Sequence, residues 1–364
     1  MWPSTNADSP NSAHRTNGTA ATGPVWELEL LQSGKPAASD PVNQWNEMTD
    51  KKLRVVVIDP LDEATCNEIA RRYDFRHFPN ARMKGVADAM RDADVLVCRS
   101  GVRADRDFLS GAHDLRLIVR AGVGLDNIDL GFAKARQIRI VTIPGETQQS
   151  VAELGLALII TGLRKIVSAH RSTVSGEWKK LSYIGTELRG RTVGLLGYGR
   201  TAQALQRLLA PLEIELLVSR RRSDAAAQEE VIESGASIAS FDVLLERADV
   251  LVLCVPSNSS TRGLLSHGAI QKLKKQPCIV NLGRWDVMDP DALLWGLQSG
   301  LVSAAAIDPV PEGIIDVSKW DRPDVILLPH LGAQTREAQR RIGDQVLGHL
   351  GQEASLLRQG SETC

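Results

Sequence analysis

From Lys51 onward, short aliphatic and β-branched runs alternate with stretches whose apolar positions recur at helical spacing. RVVVI at 54–58, VLVC at 95–98, LRLIV at 115–119 and IRIVTI at 138–143 read as strands, and 61–72 and 83–92 as helices between the first two. Parallel strands need a crossover, and a helix is the usual one. The alternation therefore predicts βαβ units and a parallel sheet covered on both faces.

Residues 150–170, SVAELGLALIITGLRKIVSAH, predict one long helix. Ser150 with Glu153 three places on reads as a capping box. The apolar positions run around most of the circumference, so this helix is expected between layers or domains. The pattern then restarts with six strand candidates: 191–197, 214–218, 249–255, 277–281, 302–307 and 324–329. The tail from Gln334 to about Leu350 reads as a helix outside this second unit, placed to pack back on the first.

The fold class expected is α/β, with two doubly wound parallel-sheet domains. A Rossmann cofactor domain (151–330) is inserted in a flavodoxin-like substrate domain (51–150 plus 331–364). Residues 1–50 are rich in Ser, Thr, Asn, Pro and Gly without periodicity, and read as a disordered extension.

Composition narrows the classes. The chain of 364 residues carries 43 basic and 44 acidic side chains, a balance that offers no global attraction to nucleic acid or an anionic membrane. No run approaches the ~18 apolar residues of a membrane span, and the start lacks the charged and apolar regions of a signal peptide. The five cysteines are scattered, with no metal-ligand spacing, and no metal site is expected. Cys98 and Cys254 lie inside apolar runs as small buried hydrophobes. A reduced, cytoplasmic protein is the expectation.

GLLGYGRTA at 194–202 follows a strand and opens a helix. Gly197 permits the tight turn, and Gly199 lets the backbone approach a pyrophosphate. Ala202 allows close helix–strand packing, while Arg200 and Thr201 begin the helix whose N–H groups face the anion. The next strand, IELLV, ends in Ser219-Arg220-Arg221-Arg222 rather than in the carboxylate that binds the ribose 2′-hydroxyl of NAD. Guanidinium forks suit a 2′-phosphate. We read Ser219 on the ribose and Arg220 and Arg221, ahead of Arg222, as a clamp for NADP(H). A solvated basic turn with NAD preference is the alternative.

Three further residues fall just beyond strand ends of the second sheet: Arg284 in VNLGRWDVMD, Glu312 in IDPVPEG and His330 in LLPHLGAQT. An imidazole to carry a proton, a carboxylate to sustain the imidazolium and a guanidinium for negative oxygens together fit hydride transfer to a carbonyl.

These motifs, with RAGVGLDNID (120–129), IPGETQQSVAE (143–153) and CVPSNSSTRGLL (254–265), resemble the D-isomer-specific 2-hydroxyacid dehydrogenases across roughly residues 53–350. The resemblance implies that Arg284 binds the substrate carboxylate and carbonyl, that His330 is the acid/base and that a Glu partners it. It implies that backbone at Ser100–Gly101 and Gly122–Val123 receives the carboxylate. Asp308 would hold the nicotinamide carboxamide, and Cys254–Pro256 the adenosine side. It also implies a small 2-keto or 2-hydroxy acid as partner, and homodimers.

The chain departs from the family pattern in places. Trp285 follows the arginine where glycine is usual, and either narrows the pocket or packs outward. Glu312 matches the family Glu only through a gap, and Thr147 replaces an Asn. Asn127 and Asp129 read as turn braces. Two other functions stand beside the 2-keto acid reductase: a nucleotide-binding sensor of corepressor type without turnover, and a dehydrogenase of an unusual substrate such as a phosphonate or a biosynthetic intermediate.

Overall fold

The computed structural model describes residues 52–221, 225–310 and 316–361. The arginine Arg222 and the carboxylate Glu312 lie outside them, as does the extension 1–50. Two all-parallel sheets organise the chain. The first has the order β2-β1-β3-β4-β5, with β1 Arg54–Ile58, β2 Asp74–Phe78, β3 Val95–Cys98, β4 Leu117–Arg120 and β5 Arg139–Thr142. This is the flavodoxin-like order, with its switch point between β1 and β3.

The second sheet has the order β12-β11-β10-β9-β6-β7-β8. Its strands are β6 Thr192–Leu196, β7 Glu215–Ser219, β8 Ser237–Ile238, β9 Val250–Leu253, β10 Cys278–Asn281, β11 Ala304–Ile307 and β12 Val325–Leu327. Counted from β6, the order is the Rossmann 3-2-1-4-5-6 with one strand added. Its switch point lies between β6 and β9. The central strands of both sheets read as near-continuous apolar runs because both faces are covered there: β3, β9, β10 and β11 are buried at every position.

Helix α1 (Glu63–Arg72) follows β1, α2 (Gln148–Leu163) joins the two sheets, α3 (Arg200–Leu209) follows β6, and α4 (Arg336–Ser361) closes the chain. The spacing of Ile342, Val346, Leu350 and Ala354 puts one apolar stripe of α4 against Val55, Val57, Leu117 and Val119. The tail therefore belongs to the core of the first sheet. Ala152, Leu158 and Ile159 of α2 are buried in the core of the second.

Two sequence expectations are corrected. The span 150–170 is two helices, α2 and Ile166–Val174, broken at Lys165, whose φ is 52°. The break has a local cause: the N–H of Thr186 donates to the carbonyl of Leu163 at 3.0 Å, filling the acceptor that another helical turn would use. Ser150 is not an N-cap. Thr147 holds that position without a side-chain bond, while Ser150 Oγ lies buried, 2.8 Å from Thr335 Oγ1. Glu153 accepts instead from Gln149 Nε2 at 2.9 Å.

Candidate active site

The cradle sits at the switch point of the second sheet. The N–H of Gly197 donates to Ser219 O at 2.7 Å, tying the tip of β6 to that of β7. Gly197 has φ 95°, and a Cβ there would stand 2.8 Å from Val255 Cγ1 and 3.0 Å from Cys254 O. Gly199, the N-cap of α3, would meet nothing within 4 Å. One glycine is thus required by the fold, while the other leaves open the space a pyrophosphate needs at the helix start. Ala202 is fully buried on the strand side. These residues fit a dinucleotide. Arg200 reaches from the first turn of α3 to 3.3 Å of where a Gly145 Cβ would be, at the joint between the sheets. Pro256 lies beside the cradle, its carbonyl accepting from Thr261 Oγ1 at 2.5 Å.

At the tip of β7 the two described arginines, Arg220 and Arg221, differ. Arg220 Nη1 pairs with Glu230 Oε2 at 2.9 Å, and its Cζ lies 5.6 Å from the ring centroid of Tyr198, between the two cradle glycines. Arg221 is exposed.

The other pole of the site is His330, just past β12. Its φ of 62° is uncommon for a residue with a Cβ, so the surrounding turn has to hold it there. Asp308, at the end of β11 and 3% exposed, does so: its carboxylate accepts from Leu331 N at 2.6 Å and Gly332 N at 2.8 Å. Burial raises the Asp308 pKa against those bonds. Burial also pushes His330 down to about 4. The positive charges of Arg284, Arg120 and Arg99 push in the same direction, and Asp126 opposes them.

Sequence reasoning missed four of these charged groups. Arg120, the last residue of β4, is 5% exposed, and Arg99 directly follows β3. A charged residue at the carboxyl end of an apolar parallel strand is the signal that would have found both. Arg99 Nη1 donates to Gln339 Oε1 of α4 at 3.0 Å. Asp59, at the end of β1, accepts from Arg99 N at 3.1 Å and Gly101 N at 3.0 Å. Asp126 faces Arg284 from the first domain.

The backbone predicted to receive a carboxylate is partly engaged within the fold. The N–H of Gly101 goes to Asp59, and that of Gly122 to Arg120 O at 2.7 Å. Ser100 and Val123 are exposed beside them. Asn127 braces the same loops, donating from Nδ2 to Arg99 O at 3.0 Å and Val102 O at 2.5 Å, and Asp129 caps the helix Leu130–Ala135. Trp285 packs edge-on against the buried Trp320, with ring centroids 5.5 Å apart.

Fold and site together define a two-domain dinucleotide-binding architecture in which the guanidinium groups of Arg284, Arg120 and Arg99 act on the His330 imidazole. The model of the D-isomer specific 2-hydroxyacid dehydrogenase NAD binding domain matches residues 156–332. Hydroxypyruvate reductase of Thermotoga maritima is 31% identical over 313 residues, 84% of this chain and 99% of that protein. The chain belongs to the D-isomer-specific 2-hydroxyacid dehydrogenase family. D-3-phosphoglycerate dehydrogenase of Mycobacterium leprae is 34% identical over 293 residues, 80% of this chain but 55% of that protein, so the chain spans about half its length. The crystal structure of a glyoxylate reductase from Paecilomyes thermophila superposes with TM-score 0.72 at 25% identity, over 82% of this chain and 94% of that one. Among the described residues no helix is long and apolar enough to cross a membrane, and no cluster of side chains has the makeup of a metal site.

Proposed function

We propose that the protein is an NADP(H)-dependent oxidoreductase that interconverts a small 2-keto acid and its D-2-hydroxy acid. One observation carries the reading: His330, held in a left-handed turn by Asp308, lies under the charges of Arg284, Arg120 and Arg99, where the carboxyl ends of both sheets meet.

A nicotinamide dinucleotide, when bound, supplies or accepts the hydride. The protein does the rest. Gly197, Gly199, Arg200, Thr201 and Ala202 present the open helix start to the pyrophosphate, and Cys254–Pro256 line the adenosine side. Ser219 faces the ribose, with Arg220 and Arg221 on a 2′-phosphate. Arg284 grips the substrate carboxylate and draws charge onto the carbonyl oxygen, helped by Arg120, Arg99 and the exposed backbone at Ser100 and Val123. His330 gives its proton to that oxygen in reduction and removes it in oxidation. Glu312 is the carboxylate proposed to sustain its charged form. We also read the protein as a homodimer: Val174, Trp178, Leu181 and Ile184 are 70–87% exposed on one segment between α2 and β6, a concentration of apolar surface that a partner copy would cover.

The test is the loss of reduced-cofactor absorbance, NADPH beside NADH, across a panel of 2-keto acids, repeated with His330→Gln. Turnover led by NADPH and abolished by the substitution, with cofactor binding kept, supports the reading. Cofactor binding without turnover on any acid rejects it.

A further inference from the structure

Arg220 leaves the tip of β7 with its guanidinium already engaged. Besides the 2.9 Å pair with Glu230 and the face of Tyr198, its side chain is 13% exposed. Glu230 lies on the helix Ala225–Glu233, and its other oxygen, Oε1, accepts from Gln203 Nε2 at 2.7 Å. Gln203 belongs to α3, the helix that Gly199 opens. One carboxylate thus joins the cradle helix to the candidate phosphate clamp. The tip of β7 has Ser219 where an acidic residue would favour a ribose hydroxyl, yet a carboxylate reaches the next residue, Arg220, from a different element.

We infer that Glu230 is a specificity-determining residue, its carboxylate competing with a cofactor 2′-phosphate for Arg220. The inference rests on the proposed role of the arginines as a 2′-phosphate clamp. A guanidinium shared between a carboxylate and a phosphate binds each less well than it would bind either alone, and the two anions repel across the short gap between them. A dinucleotide with a free 2′-hydroxyl displaces nothing. Glu230 therefore narrows the preference for the phosphorylated cofactor and leaves room for the unphosphorylated one. Its side chain is 48% exposed, so it can turn into water when phosphate enters, and its effect weakens with salt.

The experiment is a fluorescence titration of NADPH and NADH onto the full chain, with no substrate present. The proteins compared are wild type, Glu230→Gln and the pair Arg220→Ala with Arg221→Ala, each checked for folding by its melting curve. Glu230→Gln keeps the side-chain shape and removes the charge. It should tighten NADPH about tenfold and move NADH less than about twofold, with the gain shrinking in high salt. If the arginine variants weaken NADPH selectively while Glu230→Gln leaves it unchanged or weaker, the clamp stands and the competition is rejected. If the arginine variants leave the NADPH-to-NADH ratio untouched, the clamp itself falls and the inference with it.

Discussion

Arg284 and Asp126 form an ion pair across the two domains, with Nε 3.4 Å from Oδ1. Asp126 is anchored in the loop that follows β4 and Arg284 in the loop that follows β10, so the pair joins loops at the strand ends of the two sheets. The side chains are 27% and 53% exposed, and a pair this wet and this long contributes ~0–1 kcal/mol to stability. On the proposed role of Arg284 the pair is competitive: the Asp126 carboxylate occupies the cation assigned to the substrate carboxylate.

Asp126→Asn should therefore lower KM for the 2-keto acid by roughly two- to fivefold while stability moves by less than about 0.5 kcal/mol. The difference should fade as salt screens the pair in the wild type. Steady-state kinetics at two ionic strengths check this. A raised KM would mean that Asp126 aims Arg284 rather than competing for it.

His330 titrates far below an ordinary imidazole, at about 4 against 6.5, chiefly because of burial and then the three arginines. If His330 is the proton acceptor, as proposed, its neutral ring is the active form, and kcat/KM for hydroxy-acid oxidation should hold its plateau below pH 6. Stability carries the same sign. Between the folded and unfolded values the unfolded chain binds the extra proton, so stability falls as pH drops through that window, by about 1–2 kcal/mol at pH 5. His330→Gln should flatten the loss. Melting temperatures of both proteins from pH 7 to pH 5 decide it; equal slopes would place the titration elsewhere.

Asp308 separates two roles. Both its oxygens receive backbone N–H groups of the turn after His330. Asp308→Asn replaces one acceptor by a donor and should cost ~1–3 kcal/mol. If the residue acts through the turn, kcat drops and cofactor Kd stays put. A weakened Kd at unchanged kcat would instead put its carboxylate on the cofactor.

How much of this the sequence discloses depends on what sets each feature. Strands such as VLVC and CIVN are legible because burial on both faces leaves an uninterrupted apolar run, and the cradle is legible because its glycines keep a fixed spacing directly after a strand, with Gly197 required by the turn. DFRHF escapes: as the edge strand β2 it has no position of full burial, so its apolar content falls to two phenylalanines. The two-residue β8 is exposed throughout. Ser150 and Glu153 mimic a cap by spacing alone, but the hydroxyl finds Thr335, a partner 185 residues away. The arginines at 99 and 120 and the aspartate at 126 act on His330 only once the two sheets are packed together, and no local pattern encodes that meeting.

The cradle glycines should answer substitution differently. Gly197→Ala puts a methyl group against Val255 and the Cys254 carbonyl at a φ of 95°, so strain and overlap together should cost ~1–3 kcal/mol, and cofactor binding should weaken as the turn shifts. Gly199→Ala meets no protein atom within 4 Å and has an extended backbone at φ −90° and ψ −174°, so the fold should tolerate it. The new methyl then stands where the backbone must approach a pyrophosphate, and Kd for NADPH should rise at least about tenfold with the melting temperature nearly unchanged. Paired melts and titrations of the two variants check the distinction. Normal binding by Gly199→Ala would mean that the dinucleotide does not pass over the start of α3, which would remove the cradle from the proposed site.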